Sequence, residues 1–280
     1  MVAHMSRRHF VTRRQRLVTP GIPPTTIAIA CLAGIFFLLP FIALLTGIRW
    51  TDLPALLTTQ AALDALWLSL RTATTATVLC LLLGIPLALV LARIDFPGRT
   101  LARAIVLVPL VIPPVVAGIV LTEAFGRRGL IGEHLSAFGI DIAFTTAAVV
   151  LAQTFVALPF MVTSLESQLV STGQHYERVA QSLGASKWRT FTTITLPLLG
   201  PGLLSGTVLT FARALGEFGA TITFAGSLQG TTRTMPLEIY LTRETDPDAA
   251  VALSLVLIGI AVIVIAVAYF RPAKRRRPRS

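Results

Sequence analysis

Charge is what this 280-residue chain has least of. Asp, Glu, Lys and Arg make up 13% of it and hydrophobic residues 54%, whereas an ordinary soluble domain carries roughly 25% charge. That balance excludes a soluble globular fold. Cysteine is nearly absent as well: Cys31 and Cys80 both fall inside apolar runs, which leaves no Cys-x-x-Cys pair, no Cys/His metal spacing and no disulfide framework. The only lysines, Lys187 and Lys274, follow Ser186 and Ala273. A phosphate-binding loop needs Gly-Lys-Ser/Thr, so no nucleotide site of that kind is built here. All four histidines, His4, His9, His134 and His175, lie outside the apolar runs. With no HExxH motif and no Asp inside a run, protease or phosphatase chemistry within the membrane has no residues to work with.

What the chain does have is long stretches without charge. They extend from Arg16 to Arg49, Arg71 to Arg93, Arg103 to Glu123, Asp141 to Glu166, Arg189 to Arg213 and Asp248 to Arg271. Each holds the ~20 apolar residues that cross a hydrocarbon core as a helix, and in lipid such a segment must satisfy its own backbone hydrogen bonds. The prediction is an all-α integral membrane protein with six transmembrane helices near 27–48, 72–92, 104–122, 143–165, 199–224 and 249–270. A β-barrel would need short segments of alternating polarity, and Ile27 to Leu39 or Val251 to Tyr269 do not alternate. Some 26 residues precede the first run, which is longer than a signal-peptide core, so that span is read as retained.

Lys and Arg decide the orientation. With the N-terminus in the cytoplasm, 17 of them fall in the two tails (1–26 and 271–280) and the inner connections, and six fall outside. The inner face then carries about +14 and the outer about −3. The net charge of +11 is thereby explained by topology, without nucleic acid, and the basic C-terminal tail suits an anionic lipid surface. Several spans contain proline: Pro40, Pro86, Pro109, Pro113, Pro114 and Pro159. Proline removes an amide donor and kinks a helix. The third span, with Pro113 and Pro114 adjacent, is the most distorted and a candidate pathway lining.

The inner connection 166–198 has a pattern of its own. Tyr176, Val179, Ala180 and Leu183 recur at i, i+3, i+4 and i+7, one face of a helix. Ser171 with Gln174 offers a capping box at its start, and Gly184 offers a stop. A second short helix beginning after Ser186 would present Trp188, Phe191 and Ile194, before Pro197 marks the entry to the fifth span. Two readings stay open for this knob: a segment that docks in a partner's groove, or a helix lying on the membrane surface.

Ala180, Gly184, Ile194, Leu196 and Pro197 also match the spacing Glu-Ala-Ala-x3-Gly-x9-Ile-x-Leu-Pro, and here the chain resembles the permease subunits of bacterial binding-protein-dependent ABC importers. The motif's Glu and first Ala fall on Arg178 and Val179, with an acid one position earlier at Glu177. A second pair of stretches, Ala212 to Thr221 and Gly230 to Tyr240, looks like the molybdate permeases, with the sulfate/thiosulfate permeases next. The resemblance implies a type I permease fold in the bacterial cytoplasmic membrane, working as a homodimer. It also implies a pair of separate ATPase subunits that bind ATP and Mg, and an extracytoplasmic binding protein that delivers a tetrahedral oxyanion. No cofactor or metal is expected in this chain. An ion-coupled secondary carrier is the rival class, but such carriers show paired half-helices or internal repeats, and no repeat is evident.

Arg213 and Glu217 form the one charge constellation inside a predicted span. Four residues apart on a helix they share a face, and charges at that depth pair or line an aqueous path. A structural ion pair, a gate element and a contact to the anion all remain open. Thr221 and Thr223 supply hydroxyls nearby, although threonine also bonds back to its own helix.

The orientation is open to test in a Cys31- and Cys80-free background. Ser280→Cys is expected to be protected from an impermeant thiol reagent in intact cells while Gly230→Cys labels, and labelling at position 280 would overturn the inner placement of 166–198.

Overall fold

The computed structural model describes residues 23–48, 50–51 and 53–269. The predicted basic tails 1–26 and 271–280 thus lie outside the described residues, apart from residues 23–26. Two units are distinguished, one ending at Thr46 and one beginning at Gly47. Among its described residues the first holds one helix, the charge-free α1 (Pro24–Thr46), with Pro40 inside it.

The second unit opens with α2 (Leu53–Leu57) and the long α3 (Gln60–Arg93). It continues through α4 (Arg99–Val111), α5 (Pro114–Phe125), α6 (Gly132–Ala137) and α7 (Thr146–Thr172). The knob follows as α8 (His175–Ser182), α9 (Lys187–Thr190), a π-helical turn (Phe191–Thr195) and α10 (Leu196–Leu198). Last come α11 (Gly200–Leu215), α12 (Gly219–Phe224), α13 (Met235–Thr245) and α14 (Pro247–Tyr269). No strand occurs among the described residues. Among the described residues four helices, α1, α3, α7 and α14, are long and apolar enough to cross a membrane, and the number rises to six if each of two bent pairs is one span.

Four predicted spans need correction. The second is not confined to 72–92: α3 starts at Gln60, where Thr59 Oγ1 accepts from Ala62 N at 3.4 Å, and runs on through Asp64 and Arg71. The fourth likewise runs past Glu166 to Thr172. A charge ends the stretch that suits hydrocarbon, but it does not end the backbone ladder, which continues into the wetter zone beyond. The third, 104–122, is two helices bent by 119°. Ile112, preceding a proline, is extended (φ −69°, ψ 142°), as the proline ring demands, and Pro114 opens α5. The fifth is interrupted too. α11 ends at Leu215 with Gly216 as its cap, and α12 begins afresh at Gly219.

α7 is the axis of the second unit, packing against α3, α11, α12, α4 and α5. Lipid tails are as apolar as leucine, so helices there associate through close contact, which favours small residues at the crossing. α3 buries Ala73, Ala76, Thr77, Cys80, Gly84 and Ala88. A methyl added at Gly84 would stand 2.7 Å from Met161 Cγ. On α11, a methyl at Gly202 would meet Gln168 Cβ at 2.7 Å, and one at Gly206 would meet Met161 Sδ at 3.0 Å. Among the polar ties, Met235 N donates to the buried Ser69 Oγ at 2.7 Å, fixing α13 to α3. Asp246 Oδ1 accepts from Ala249 N at 3.0 Å beside Pro247 and so starts α14.

Candidate functional site

The knob is built from α8 onward. Gly184 adopts φ +84°, a left-handed conformation that glycine takes without steric cost. Ala185 N then reaches Ala180 O at 3.0 Å, and Gly184 N reaches Gln181 O at 3.0 Å. That pair of bonds is a Schellman stop. Ser186 Oγ accepts from Arg189 N at 3.3 Å and opens α9. The capping box proposed for Ser171 and Gln174 does not form. α7 extends over Ser171, whose hydroxyl bonds back to Gln168 O, and Gln174 caps α8 without using its side chain.

Six of the sequence-predicted residues come together on one side. Tyr176, Val179, Ala180 and Leu183 of α8, with Ile194 and Pro197, line an apolar groove of about 530 Å³. Leu183 is 83% exposed and Tyr176 59%, so the face stands open. Leu196 is half-buried beside it. Trp188 lies elsewhere, exposed and packed on Phe191 with ring centroids 5.7 Å apart.

The opposite face of α8 is polar and held from below. Arg93, the last residue of α3, donates through Nη2 to Gly173 O at 2.6 Å and pairs with the Glu177 carboxylate at 3.2 Å. Thr195 Oγ1 donates to the same carboxylate at 2.9 Å. Glu177 thus fastens α8 to α3 and to the π-helical turn, while Arg178 next to it is exposed. Arg103 and Glu166 tie α4 to α7 at 2.6 Å in the same way. Sequence reasoning counted Arg93, Arg103 and Glu166 only as topological charges and missed these clamps. The available signal was their position at predicted span ends, where a long side chain reaches a neighbouring helix.

The candidate pathway residues gather at the crossing of α5 and α12. A methyl at Gly219 would stand 2.6 Å from Pro114 Cβ, and one at Gly118 would stand 2.6 Å from Thr223 Cβ and 2.9 Å from Ala220 O. Pro113 caps α5 there. Arg213 Nη1 lies 2.6 Å from Glu217 Oε2, with the Glu217 side chain 1% exposed. The expectation that both share one helix is corrected: Glu217 sits in the break after α11, and its Oε1 accepts from Ala220 N at 2.8 Å to start α12. Thr223 bonds back to Gly219 O at 2.7 Å. Thr221 is fully buried with its hydroxyl unpartnered among the described residues. Sequence reasoning missed Gln153, in α7, fully buried with neither amide atom partnered among the described residues. Being uncharged, it left no mark in a scan for charge-free runs.

Comparison with known proteins bears on what such an arrangement serves. Residues 84–276 match the family model of the binding-protein-dependent transport system inner membrane component. The molybdenum transport system permease protein ModB of Mycobacterium bovis is 57% identical over 231 residues, 81% of this chain and 87% of that protein. The sulfate transport system permease protein CysT of Escherichia coli is 34% identical over 239 residues, 84% of this chain and 86% of that protein. Among solved structures, a bacterial alginate ABC transporter in complex with an alginate pentasaccharide-bound periplasmic protein shares the fold. Its TM-score is 0.69 at 19% identity, covering 87% of this chain and 92% of that one. Six candidate spans, counting the bent pairs, and these matches make this chain a multi-pass membrane protein of the binding-protein-dependent transport system inner membrane component family.

Proposed function

We propose that this chain is the permease subunit of an ATP-driven molybdate importer, working as a homodimer, with a separate ATPase docked on the 174–197 knob and an extracytoplasmic binding protein on the other side. The observation that carries the choice of ion is the margin between relatives, 57% identity to a molybdenum permease against 34% to a sulfate permease over similar lengths. Sulfate transport is the second reading. ATP and Mg belong to the partner, since neither lysine stands in a phosphate-binding loop.

Hydrolysis in another chain drives transport only through a contact that differs between nucleotide states, because a ligand shifts an equilibrium only by its differential affinity. The groove formed by Tyr176, Val179, Ala180, Leu183, Ile194 and Pro197 is open and apolar, and Arg93 and Glu177 tie the knob to α3. A push on the knob therefore reaches a membrane-spanning helix. Arg213 and Glu217 act in this proposal as a structural pair that fixes where α12 starts, with Pro113, Pro114, Thr221 and Thr223 around the pathway.

Uptake assays test the ion. In cells whose only molybdate system contains this permease, a tenfold excess of sulfate is expected to leave molybdate accumulation unchanged, and strong competition would favour the sulfate reading.

Coupling is tested at the corner of the knob. At φ +84° a β-branched residue costs about 1–3 kcal/mol, so Gly184→Val is expected to insert normally but to capture less ATPase and lose uptake. Leu183→Asp is expected to act likewise by placing a charge in the contact. ATPase capture and uptake equal to the parent in both variants would remove the knob from the mechanism.

For the ion pair, Arg213→Ala strands a carboxylate that is 1% exposed, at a cost of about 3–5 kcal/mol. Glu217→Gln in the same chain removes the stranded charge and keeps an acceptor for Ala220 N. The double variant is therefore expected to melt higher than Arg213→Ala alone, and a lower melting temperature would contradict a structural pair.

A further inference from the structure

Behind the apolar groove, on the other face of α8, is a second cavity of about 260 Å³ between the end of α3, α8 and α9. Three of its walls are cationic, Arg93, Arg178 and Lys187, and one is acidic, Glu177. That carboxylate is already occupied by the Arg93 guanidinium at 3.2 Å and by Thr195 Oγ1 at 2.9 Å, so the cavity keeps an excess of two positive charges. Two of its polar atoms are shut off from solvent and have no hydrogen-bond partner among the described residues: Arg93 Nε and Thr190 Oγ1, the latter on a residue only 3% exposed. Unmade hydrogen bonds at buried donors are costly, and the residues that carry these two donors, Arg93 and Thr190, both belong to the lining of the same space.

We propose that this cavity binds a tetrahedral oxyanion, held by Arg93 Nε, Thr190 Oγ1, Arg178 and Lys187. Water would satisfy the two donors but would leave the charge excess unanswered. A dianion with only acceptor oxygens answers both, and a cavity several times the ~30 Å³ share of one water has room for it. The guanidinium of Arg93 is suited to the task because its planar fork serves two partners at once: Nη2 holds Gly173 and Glu177 while Nε stays free for the ligand. The bound anion bridges the end of α3 to α8 and α9, so its occupancy stiffens the joint between the knob and the span. The same chemistry comes from two sources, a free inorganic oxyanion in the aqueous phase or the phosphate of an anionic lipid headgroup.

The test reads binding to the purified full-length chain and not uptake, so its failure leaves the choice of transported ion untouched. Titration calorimetry at low ionic strength uses sodium sulfate and sodium molybdate as probes, and native mass spectrometry counts retained phosphatidylglycerol. The parent is expected to bind the inorganic anions at one site. Lys187→Gln and Arg178→Gln alter exposed side chains, and each is expected to weaken binding about tenfold, as is Thr190→Val, while Thr190→Ser restores it. Arg128→Gln, an exposed side chain outside the cavity lining, is expected to leave it unchanged. Weak inorganic binding together with phosphatidylglycerol that is retained by the parent and lost from Arg178→Gln/Lys187→Gln would identify the lipid headgroup as the source. If the parent and that double variant bind sulfate and molybdate equally and retain equal lipid, the site does not exist.

Discussion

Hydrocarbon offers a backbone nothing to bond with, so a membrane helix can be interrupted only where protein covers the opened groups. The second unit interrupts its helices twice near α12, at Ile112–Pro113 and at Gly216–Phe218, and the two interruptions rest on each other. Pro114 lies against Gly219, and Gly118 lies under Ala220 and Thr223, at distances that admit no added methyl. What allows α12 to begin there is Glu217, which accepts from Ala220 N. A carboxylate that deep needs a counter-charge, and Arg213 supplies it at 2.6 Å. The ion pair thus fixes the start of α12, α12 in turn seats the first turns of α5, and the 119° bend itself is set by Ile112, Pro113 and Pro114.

A second economy lies in the arginines at one end of the helices. The positive-inside bias requires such residues near span ends whatever they touch. Here Arg93 and Arg103 also reach across to Glu177 and Glu166. The pairs are part-buried, and each joins elements distant in sequence. Arg103 joins α4 to α7, which small residues and close contact otherwise hold to its neighbours. Arg93 joins a spanning helix to a segment that spans nothing. In the proposed coupling that second link carries the motion, because an apolar groove on a loosely tethered loop would transmit little.

Much of this was legible in the sequence, for definite reasons. Long charge-free runs located the spanning helices, and the i, i+3, i+4, i+7 pattern located the exposed face of α8 with Gly184 at its stop. Charge-counting erred where it treated a charge as the end of a helix: α3 passes through Asp64 and Arg71, and α7 passes Glu166. Lipid compatibility and helix continuity are separate properties, and only the first is governed by charge. Pro113 and Pro114 announced a distortion without its angle. The break after Leu215 gave little warning, because Gly216 alone is common within membrane helices and the decisive event is a side-chain carboxylate bonding an amide three residues on. Gln153 stayed invisible because pairing, and not composition, makes it unusual.

The shifted acid on α8 shows how a small departure from a family pattern acquires physical meaning. The motif's Glu position holds Arg178, and the acid stands at 177. One residue on an α-helix is a rotation of about 100°, enough to carry a carboxylate from one side of α8 to another. At 177 it meets Arg93 and Thr195 from within the same chain, while the guanidinium at 178 stands exposed and lines the cationic cavity. The apolar face at 176, 179, 180 and 183 keeps its register, since each of those residues is in its own place. In this chain, then, the apolar groove and the polar side of the helix are separable: the first follows the family spacing, and the second fastens the knob. Under the proposed docking, a partner that meets this knob finds an apolar surface and, at the motif's acid position, an arginine in place of a glutamate.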